Sequence, residues 1–367
     1  MNIVDAEAIP IRIALKQPFR IAVGTITHTN HVLVRMTDDA GRVGWGEAVT
    51  FHAVYGYDQR TLYQVLTDHL IPAVRGLDPR NIVQIHRAMD RAIPRNLMAK
   101  TGIDIAAYDL AAQAAGQPVH VLCGGKRLDR VPQIGVVGIV PEAEAADSAV
   151  RQLEAGYRTV KMKIGHDAAE DAARVKAVRG AVGDEVPIRV DGNCGYARAE
   201  ALRAFRLMEN TDLEWIEQPL PGWDLEGMAE LAARLDTPVA VDESMYTSED
   251  AFRCITSGAA DVVNIKVAKC GGIHRSQKIA ATCEAAGVPC FLGGCIETSV
   301  GTAAALHFYA ATSNVIRAAE IHGSPHYVDD IAGRPFTAEE GSLVVPDTPG
   351  LGIEVDEDKV NAYRIAY

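Results

Sequence analysis

Lys161 and Lys163 stand two residues apart in TVKMKIG (159–165), a run that otherwise reads as a β-strand. Side chains two apart on a strand point to the same face. Lysine is rarely buried without a partner, so an apolar strand that turns two ammonium groups one way implies an anion opposite them. Candidates follow along the chain: Asp191 with Asn193 in PIRVDGN, Glu217 in EWIEQPL, Asp242 with Glu243 in PVAVDES, and Lys266 in DVVNIKV. From Lys163 the steps to Asp191, Glu217, Asp242 and Lys266 are 28, 26, 25 and 24 residues. Two further runs lead to Glu297 and Glu320.

Three carboxylates brought to one place repel unless a cation sits between them. Ligation by Asp191, Glu217 and Asp242 is all-oxygen, which favours Mg2+ or Mn2+ over zinc, whose usual ligands include His and Cys. Lys163 and Lys266 come from opposite flanks of this set. A lysine near a metal ion and another lysine is expected to have a depressed pKa, so that its neutral amine can act as a base. One amine on each face of a metal-bound carboxylate can remove an α-proton on one side and return it on the other, with the metal stabilising the enediolate between. Lys161 would lower the pKa of Lys163 further and contact the substrate carboxylate. Glu243 reads as a partner of the ligands, and Asn193 shares the strand-end run of Asp191. Glu297 and Glu320 belong either to the site or to its rim. Lys269 is expected as a loop contact or a solvent-exposed residue, His307 and His326 as structural, and the cysteines, Cys295 included, as core fillers. Taken singly, each charged residue is of a kind that loops collect; five in register on successive strands are not.

The elements that must hold these residues repeat from about residue 130. Eight short strands are read at 131–139, 159–165, 187–193, 214–220, 238–244, 261–267, 289–295 and 315–323. Segments such as AEDAARVKAVRGAVG between them have helical spacing. Eight strand–helix units make an α/β fold, a (β/α)8 barrel of the TIM type, whose active site lies at the C-terminal ends of the strands. A doubly wound open sheet is the alternative, weakened because no GxGxxG follows the first strand and no GxxxxGK[ST] occurs. The first part of the chain differs. Alternating runs flank Ala40–Gly41 as a hairpin, and helical segments follow, including AKTGIDIAAYDLAAQAAG. The expected division is an α+β capping domain over 1–128, the barrel over 129–325, and a Gly/Pro-rich C-terminal segment over 326–367 that returns to the capping domain.

Bulk properties narrow the function classes. The 367 residues carry a formal charge of −12 and are 48% hydrophobic. That charge argues against nucleic acid or an anionic membrane as the main partner. Seven scattered cysteines without a CxxC pair are the usage of a reducing compartment. The N-terminus has no basic n-region, and no uncharged apolar run reaches the ~18 residues of a membrane span. A cytoplasmic protein with a small-molecule carboxylate substrate is expected, self-associating as a homo-oligomer.

Lys-x-Lys, DxN, EQP, DES and the NIKVAKCGG run, in this order, resemble the enolase superfamily, and within it the muconate lactonizing enzyme subgroup of the mandelate racemase/muconate lactonizing enzyme family. The likeness covers nearly the whole chain, including PFRIAVGT and VLVRMTDDAGRVGWGEA in the N-terminal part. It implies a modified barrel under a capping domain, Mg2+ on Asp191, Glu217 and Asp242, and Lys163 and Lys266 as the acid/base pair. It also implies that cap segments around Phe19–Thr27 and His52–Tyr57 close on the substrate, with Phe19 and Tyr55 as contacts. The histidine base of the mandelate racemase pattern is absent, and Glu297 at the end of strand seven favours the lactonizing subgroup. Dipeptide epimerases of the family carry DxD on strand eight; here the stretch is AAEIHGS, with Glu320 and His322, which argues against dipeptides. The leading expectation is a racemase or epimerase of an amino-acid-like carboxylate. A muconate-type cycloisomerase and a dehydratase of a β-hydroxy or cyclic amino acid are the alternatives, and a non-catalytic binding barrel is the reading from another class.

Overall fold

A computed structural model describes every residue except Ala22, Val23 and His322. The chain opens with an antiparallel meander of β1 (Ile3–Ile21), β2 (Gly24–Asp38) and β3 (Val43–Ala48), in the order β1-β2-β3. The β2–β3 hairpin at Ala40–Gly41 is as expected. Asp38 holds its turn by accepting from the backbone N–H of Ala40 and Arg42, both at 2.9 Å, and Gly41 supplies the left-handed conformation with φ +79°. β1 was not anticipated. It carries Pro10 at its centre, which suits an edge strand because proline has no N–H for a ladder. The buried Ile9, Ile11, Ile13 and Leu15 of β1 belong to the barrel-side core.

The helix Leu97–Ala115 packs against the cap sheet and is buried without a break from Leu97 to Ala112. Small residues make the close approach possible. A Cβ on Gly46 of β3 would come within 1.9 Å of the Gly102 carbonyl oxygen. This helix is apolar nearly all round because it is covered on one side by the cap sheet and on the other by barrel segments, where Thr101 Oγ1 donates to the Ala268 carbonyl at 2.9 Å.

The barrel follows a short strand β4 (Arg130–Pro132). Its staves are β5 (Gly135–Val137), β6 (Val160–Lys163), β7 (Ile188–Asp191), β8 (Leu213–Glu217), β9 (Val239–Val241), β10 (Val262–Ile265) and β11 (Cys290–Leu292). All are parallel, each paired with the next, with a helix after each. The segment expected as an eighth strand, 315–323, is not a ladder. It closes the ring through two isolated parallel bridges, Cys290 with Val315 and Gln133 with Ala319. Side chains take carbonyls that a ladder would use: Tyr309 Oη donates to Arg317 O at 2.9 Å and Arg189 to Ala318 O at 2.8 Å. The first expected strand is also divided, since β4 leaves the barrel and pairs antiparallel with β12 (Ser342–Val344). The C-terminal residues reach the cap, with Ile365 N–H donating to Pro10 O at 2.9 Å and Tyr367 Oη to Gln59 at 2.9 Å. The lower barrel interior is filled by Trp215, Ala240, Val262 and Phe291. Arg189 stacks 3.8 Å from the Trp215 ring and is neutralised by Glu214 at 2.7 Å. Among the described residues no helix is long and apolar enough to cross a membrane.

Two buried histidines join separate parts of the chain, each in one tautomer. His31 Nδ1 accepts from Thr50 N–H at 3.2 Å, so its Nε2 carries the proton and donates to Ile296 O at 3.0 Å. His307 Nδ1 accepts from His120 N–H at 3.2 Å and Nε2 donates to Leu351 O at 3.1 Å. His307 is structural, as expected. Burial lowers both pKa values to about 4. A folded-state value below the unfolded one gives stability that is complete above the unfolded pKa and is lost as pH falls toward 4. Buried carboxyls such as Glu47, pushed up to about 7 by burial, titrate with the opposite sign, so the histidine effect is isolated by comparison. Between pH 7 and 5, denaturant unfolding should show the wild type losing roughly 2 kcal/mol more stability than His307→Gln. Equal pH slopes would contradict this.

Candidate active site

The register of the staves sets the site. Lys163 pairs with Asp191, and Asp191 with Glu217, as Cα partners; Asp242 lies two residues beyond Ala240, the partner of Glu217. Period-two alternation therefore turns Lys161, Lys163, Asp191, Glu217, Asp242, Asn264 and Lys266 to one inner face. Ten ionisable side chains are buried at this mouth. Six are carboxyls (Asp191, Glu217, Asp242, Glu243, Glu297, Glu320) and four are lysines (Lys161, Lys163, Lys266, Lys269).

Lys161 is fully buried beneath the cavity, with its Nζ 2.9 Å from Asp191, 2.7 Å from Glu217 and 2.6 Å from Glu320. In this structure it bridges the three carboxyl groups. Lys163 Nζ is 2.6 Å from Asp191 and lines the cavity. Across the mouth, Lys266 Nζ is 2.7 Å from Asp242 and 2.9 Å from the hydroxyl of Tyr55. Tyr55 comes from the short cap helix His52–Tyr55, so the cap touches this lysine directly. Lys269 is fully buried with its Nζ 2.6 Å from Asp242 Oδ1, against the expectation of an exposed or loop position. The tight turn at Gly271–Gly272 that follows the short helix Val267–Cys270 folds it inward.

Two positioning side chains were not singled out from sequence. Asn264 Nδ2 donates to Glu217 at 2.7 Å, and its signal was its phase, two residues before Lys266. Gln218, with a left-handed φ of +32°, accepts from the N–H of Asp242 at 2.9 Å and of Ser244 at 3.1 Å, tying the end of β8 to the end of β9. Asn193 donates to Glu243 at 3.1 Å. Glu297 accepts from Cys295 N–H at 2.9 Å. Phe19, Phe51, Glu320, Cys295 and His326 line the cavity together with the two lysines. His326 is thus a cavity residue facing Phe19 (ring centroids 6.2 Å apart), where a structural role was expected; Cys295 is a core residue of the cap-side cluster, as expected, and also touches the cavity wall. Of the cap segment 19–27, residues 19–21 belong to β1 and 24–27 to β2; Ala22, Val23 and His322 lie outside the described residues.

The charges explain the pKa directions. Burial opposes the charge on Lys161 and Lys266, yet the carboxylates around them hold both well above the usual lysine range. The depressed amine expected for Lys266 beside a metal ion is therefore not that of this state. Burial also opposes the charge on Asp191 and Asp242, but their lysines pull both below the ordinary range. The excess of acid over amine shows in the remaining carboxyls. Burial, then Asp191, pushes Glu217 up to about 7; burial, then Asp242, pushes Glu243 up to about 8; burial pushes Glu297 up to about 7.

Fully ionised, six carboxyls against four ammoniums would carry two unmatched negative charges; protons on the raised Glu217, Glu243 and Glu297 meet them here, and one divalent cation would carry the same charge. Glu243 Oε2, Asn193 Oδ1 and Asn264 Oδ1 are buried without a hydrogen-bond donor, and Glu217 Oε2 and Asp242 Oδ2 have only a poorly directed ammonium at 2.7 Å. An all-oxygen set with spare lone pairs and excess negative charge fits a hard dication. Among the described residues no three side chains are already gathered as a metal cage, because ammonium groups stand between the carboxylates.

Comparison with known proteins follows the same lines. Residues 4–124 match the mandelate racemase/muconate lactonizing enzyme N-terminal domain, and residues 144–359 match the enolase C-terminal domain-like family. An N-succinyl-L-Arg/Lys racemase of Bacillus cereus is 35% identical over 366 residues, 100% of this chain and 98% of that protein. Its crystal structure superposes with a TM-score of 0.96 at 34% identity, covering 100% of this chain and 99% of that one. Muconate cycloisomerase 1 of Rhodococcus opacus is 31% identical over 99% of this chain and 98% of its own length. A dipeptide epimerase of Enterococcus faecalis, solved with Mg and the dipeptide L-Leu-L-Tyr, gives a TM-score of 0.92 at 34% identity, covering 96% and 100% of the two chains.

The burial of Lys269 has a measurable consequence. Lys269→Met leaves Asp242 with one amine in place of two, and breaking a buried pair of this kind destabilises by about 3 kcal/mol. Chemical denaturation should show that loss; a variant as stable as wild type would mean that Lys269 does not hold Asp242.

Proposed function

The chain is an isomerase of the enolase superfamily and belongs to its mandelate racemase/muconate lactonizing enzyme family, and on that premise we propose that it is a Mg2+-dependent racemase or epimerase acting at the carbon α to a carboxylate of an amino-acid-like substrate. The observation that carries this reading is the placement of Lys163 and Lys266. Both amines line one cavity, from staves on opposite flanks of Asp191, Glu217 and Asp242. An α-carbon held between them presents one face to each.

Asp191, Glu217 and Asp242 would hold the magnesium ion, which would supply positive charge opposite the negative charge that develops on the substrate carboxylate. One amine, freed of its proton, takes the α-proton; the ammonium across the cavity delivers a proton to the other face, and the configuration inverts. The Tyr55 hydroxyl keeps Lys266 in position from the cap. Phe19 and Phe51 close the chamber against water. The named activities of the Bacillus and Enterococcus relatives support racemisation or epimerisation; the Rhodococcus relative keeps cycloisomerisation as the second reading.

Racemisation in D2O should place deuterium at the α-carbon of N-acyl amino acids or dipeptides, read by proton NMR. Lys163→Ala and Lys266→Ala should each lower inversion by about a hundredfold or more. Inversion that survives Lys266→Ala would end the two-amine scheme, and turnover of a cis,cis-dienoic diacid without exchange on any amino-acid derivative would favour the cycloisomerase. A second outcome concerns the metal. With Glu217 and Glu243 near 7 and 8, magnesium titrated near pH 7 should displace about one proton per ion, seen as a dependence of calorimetric heat on the buffer's ionisation enthalpy. Heats independent of buffer would contradict it.

A further inference from the structure

Asp171 and Arg174 lie a turn apart near the start of the helix Ala168–Val182, which follows β6. Both are buried. Neither caps the helix. Asp167 does that, accepting from Ala169 N–H at 2.9 Å and Glu170 N–H at 3.0 Å. Asp171 turns back toward the end of β6 instead. Its Oδ2 accepts from the N–H of Gly165 at 2.9 Å and of His166 at 3.0 Å, and also from the hydroxyl of Tyr196. Its Oδ1 is paired with one arm of the Arg174 guanidinium, and the other arm donates to the carbonyl oxygen of Lys163 at 3.2 Å. A planar guanidinium fixes two acceptors relative to each other, here the Asp171 carboxylate and the backbone of Lys163.

Tyr196 belongs to the loop after β7, and its ring sits edge-on to Phe205. The loops after β6 and β7 are in close contact. A Cβ on Gly165 would come within 2.4 Å of the Gly192 carbonyl oxygen, and one on Gly195 within 2.3 Å of the Gly165 carbonyl oxygen. The β7 loop has further anchors on β8 and the residues after it: the N–H groups of Gly192, Cys194 and Tyr196 donate to the carbonyls of Glu217, Gln218 and Pro219 at 2.9, 2.9 and 3.0 Å. Asp191 therefore keeps its place without Asp171. Beyond its ladder with β7, the Lys163 backbone is held by Arg174, and the residues that follow it by Asp171. Lys266 has separate partners, Asp242 and Tyr55.

We propose that Arg174, backed by Asp171 and Tyr196, is a positioning residue for Lys163 and not for Lys266. It fixes the stave end from which Lys163 reaches one face of the α-carbon, while the amine at the other face is held independently. The two directions of the reaction are on this account supported by different parts of the fold. The inference rests on the two-amine reading of the site.

In a two-amine site each antipode gives its α-proton to one lysine, so initial exchange with D2O reports the two lysines separately. The test measures that exchange by proton NMR, with magnesium, on the D and L forms of N-acyl amino acids; Lys163→Ala and Lys266→Ala identify which antipode belongs to which amine. Arg174→Lys keeps a charge beside Asp171 but loses the fork. It should lower the kcat of exchange for the Lys163 antipode about tenfold with KM unchanged. Exchange of the Lys266 antipode and the calorimetric affinity for magnesium should stay within about twofold of wild type. Tyr196→Phe removes one hydroxyl, is the milder change should Arg174→Lys not fold, and should slow the same antipode about threefold. Neither substitution should slow exchange further in the Lys163→Ala background. Equal losses on both antipodes, no loss on either, or a magnesium affinity that falls as far as the exchange rate overturns the positioning role while leaving the two-amine reading intact. Absence of exchange on both antipodes in the wild type overturns that reading, and the positioning role with it.

Discussion

The structure depends on how ten buried ionisable side chains at the mouth of one barrel are kept from destroying it. Isolated buried charges are too costly to retain, and a carboxyl or amine that finds no partner changes its protonation instead. Here each lysine has at least one carboxylate within 3 Å, and the acids left in excess are pushed toward neutrality by burial and by one another. That balance is conditional. Protons can supply the missing positive charge, and so can one dication, and the two differ in what they do to the amines. With protons, the lysines stay locked to their carboxylates. On the proposed function, a dication would give the carboxylates another partner and would let an amine exchange its proton with a substrate.

The cap is tied to the barrel at the loops that follow its later strands. Tyr55 reaches Lys266, Thr101 takes the carbonyls after it, and Asp104 accepts from Ile273 N–H where the helix Ile273–Ala285 begins. Glu47 does the same at the helix Ser299–Ala310, capping its N-terminus from another domain. Between these anchors lie Lys266 on one side and Ile296 on the other. The chemistry-bearing loops are therefore supported from above as well as from the staves, and the left-handed turn at Ile296, with φ +59°, is sustained by hydrogen bonds that cross the domain boundary.

Much of this was legible in the sequence for a simple reason. A parallel barrel repeats one structural unit, so even spacing from Lys163 to Lys266 maps onto adjacent staves, and period-two alternation decides which side chains face inward. What was not legible is what the repeat does not encode. The stretch at 315–323 has strand composition, but Tyr309 from the preceding helix and Arg189 from far along the chain compete for its carbonyls. Lys269 reads as a loop lysine until the Gly271–Gly272 turn and Asp242 are placed around it. His326 and Cys295 have no spacing to betray them and enter the cavity through the folding of the tail and the strand-seven loop. β1 was missed because Pro10 interrupts an otherwise alternating run and the edge position that tolerates it is a property of the sheet.

The central claim is that Asp191, Glu217 and Asp242 form one site for a hard dication, with an amine waiting on either side. The most direct measurement is a crystal structure grown with Mn2+, using its anomalous signal to place the ion without reference to the protein. The account predicts a single strong peak within coordination distance of all three carboxylates, about 2.0–2.3 Å, with Lys163 and Lys266 on opposite sides of it. A peak elsewhere, or a barrel mouth that keeps its lysine–carboxylate pairs unchanged in saturating Mn2+, would contradict it.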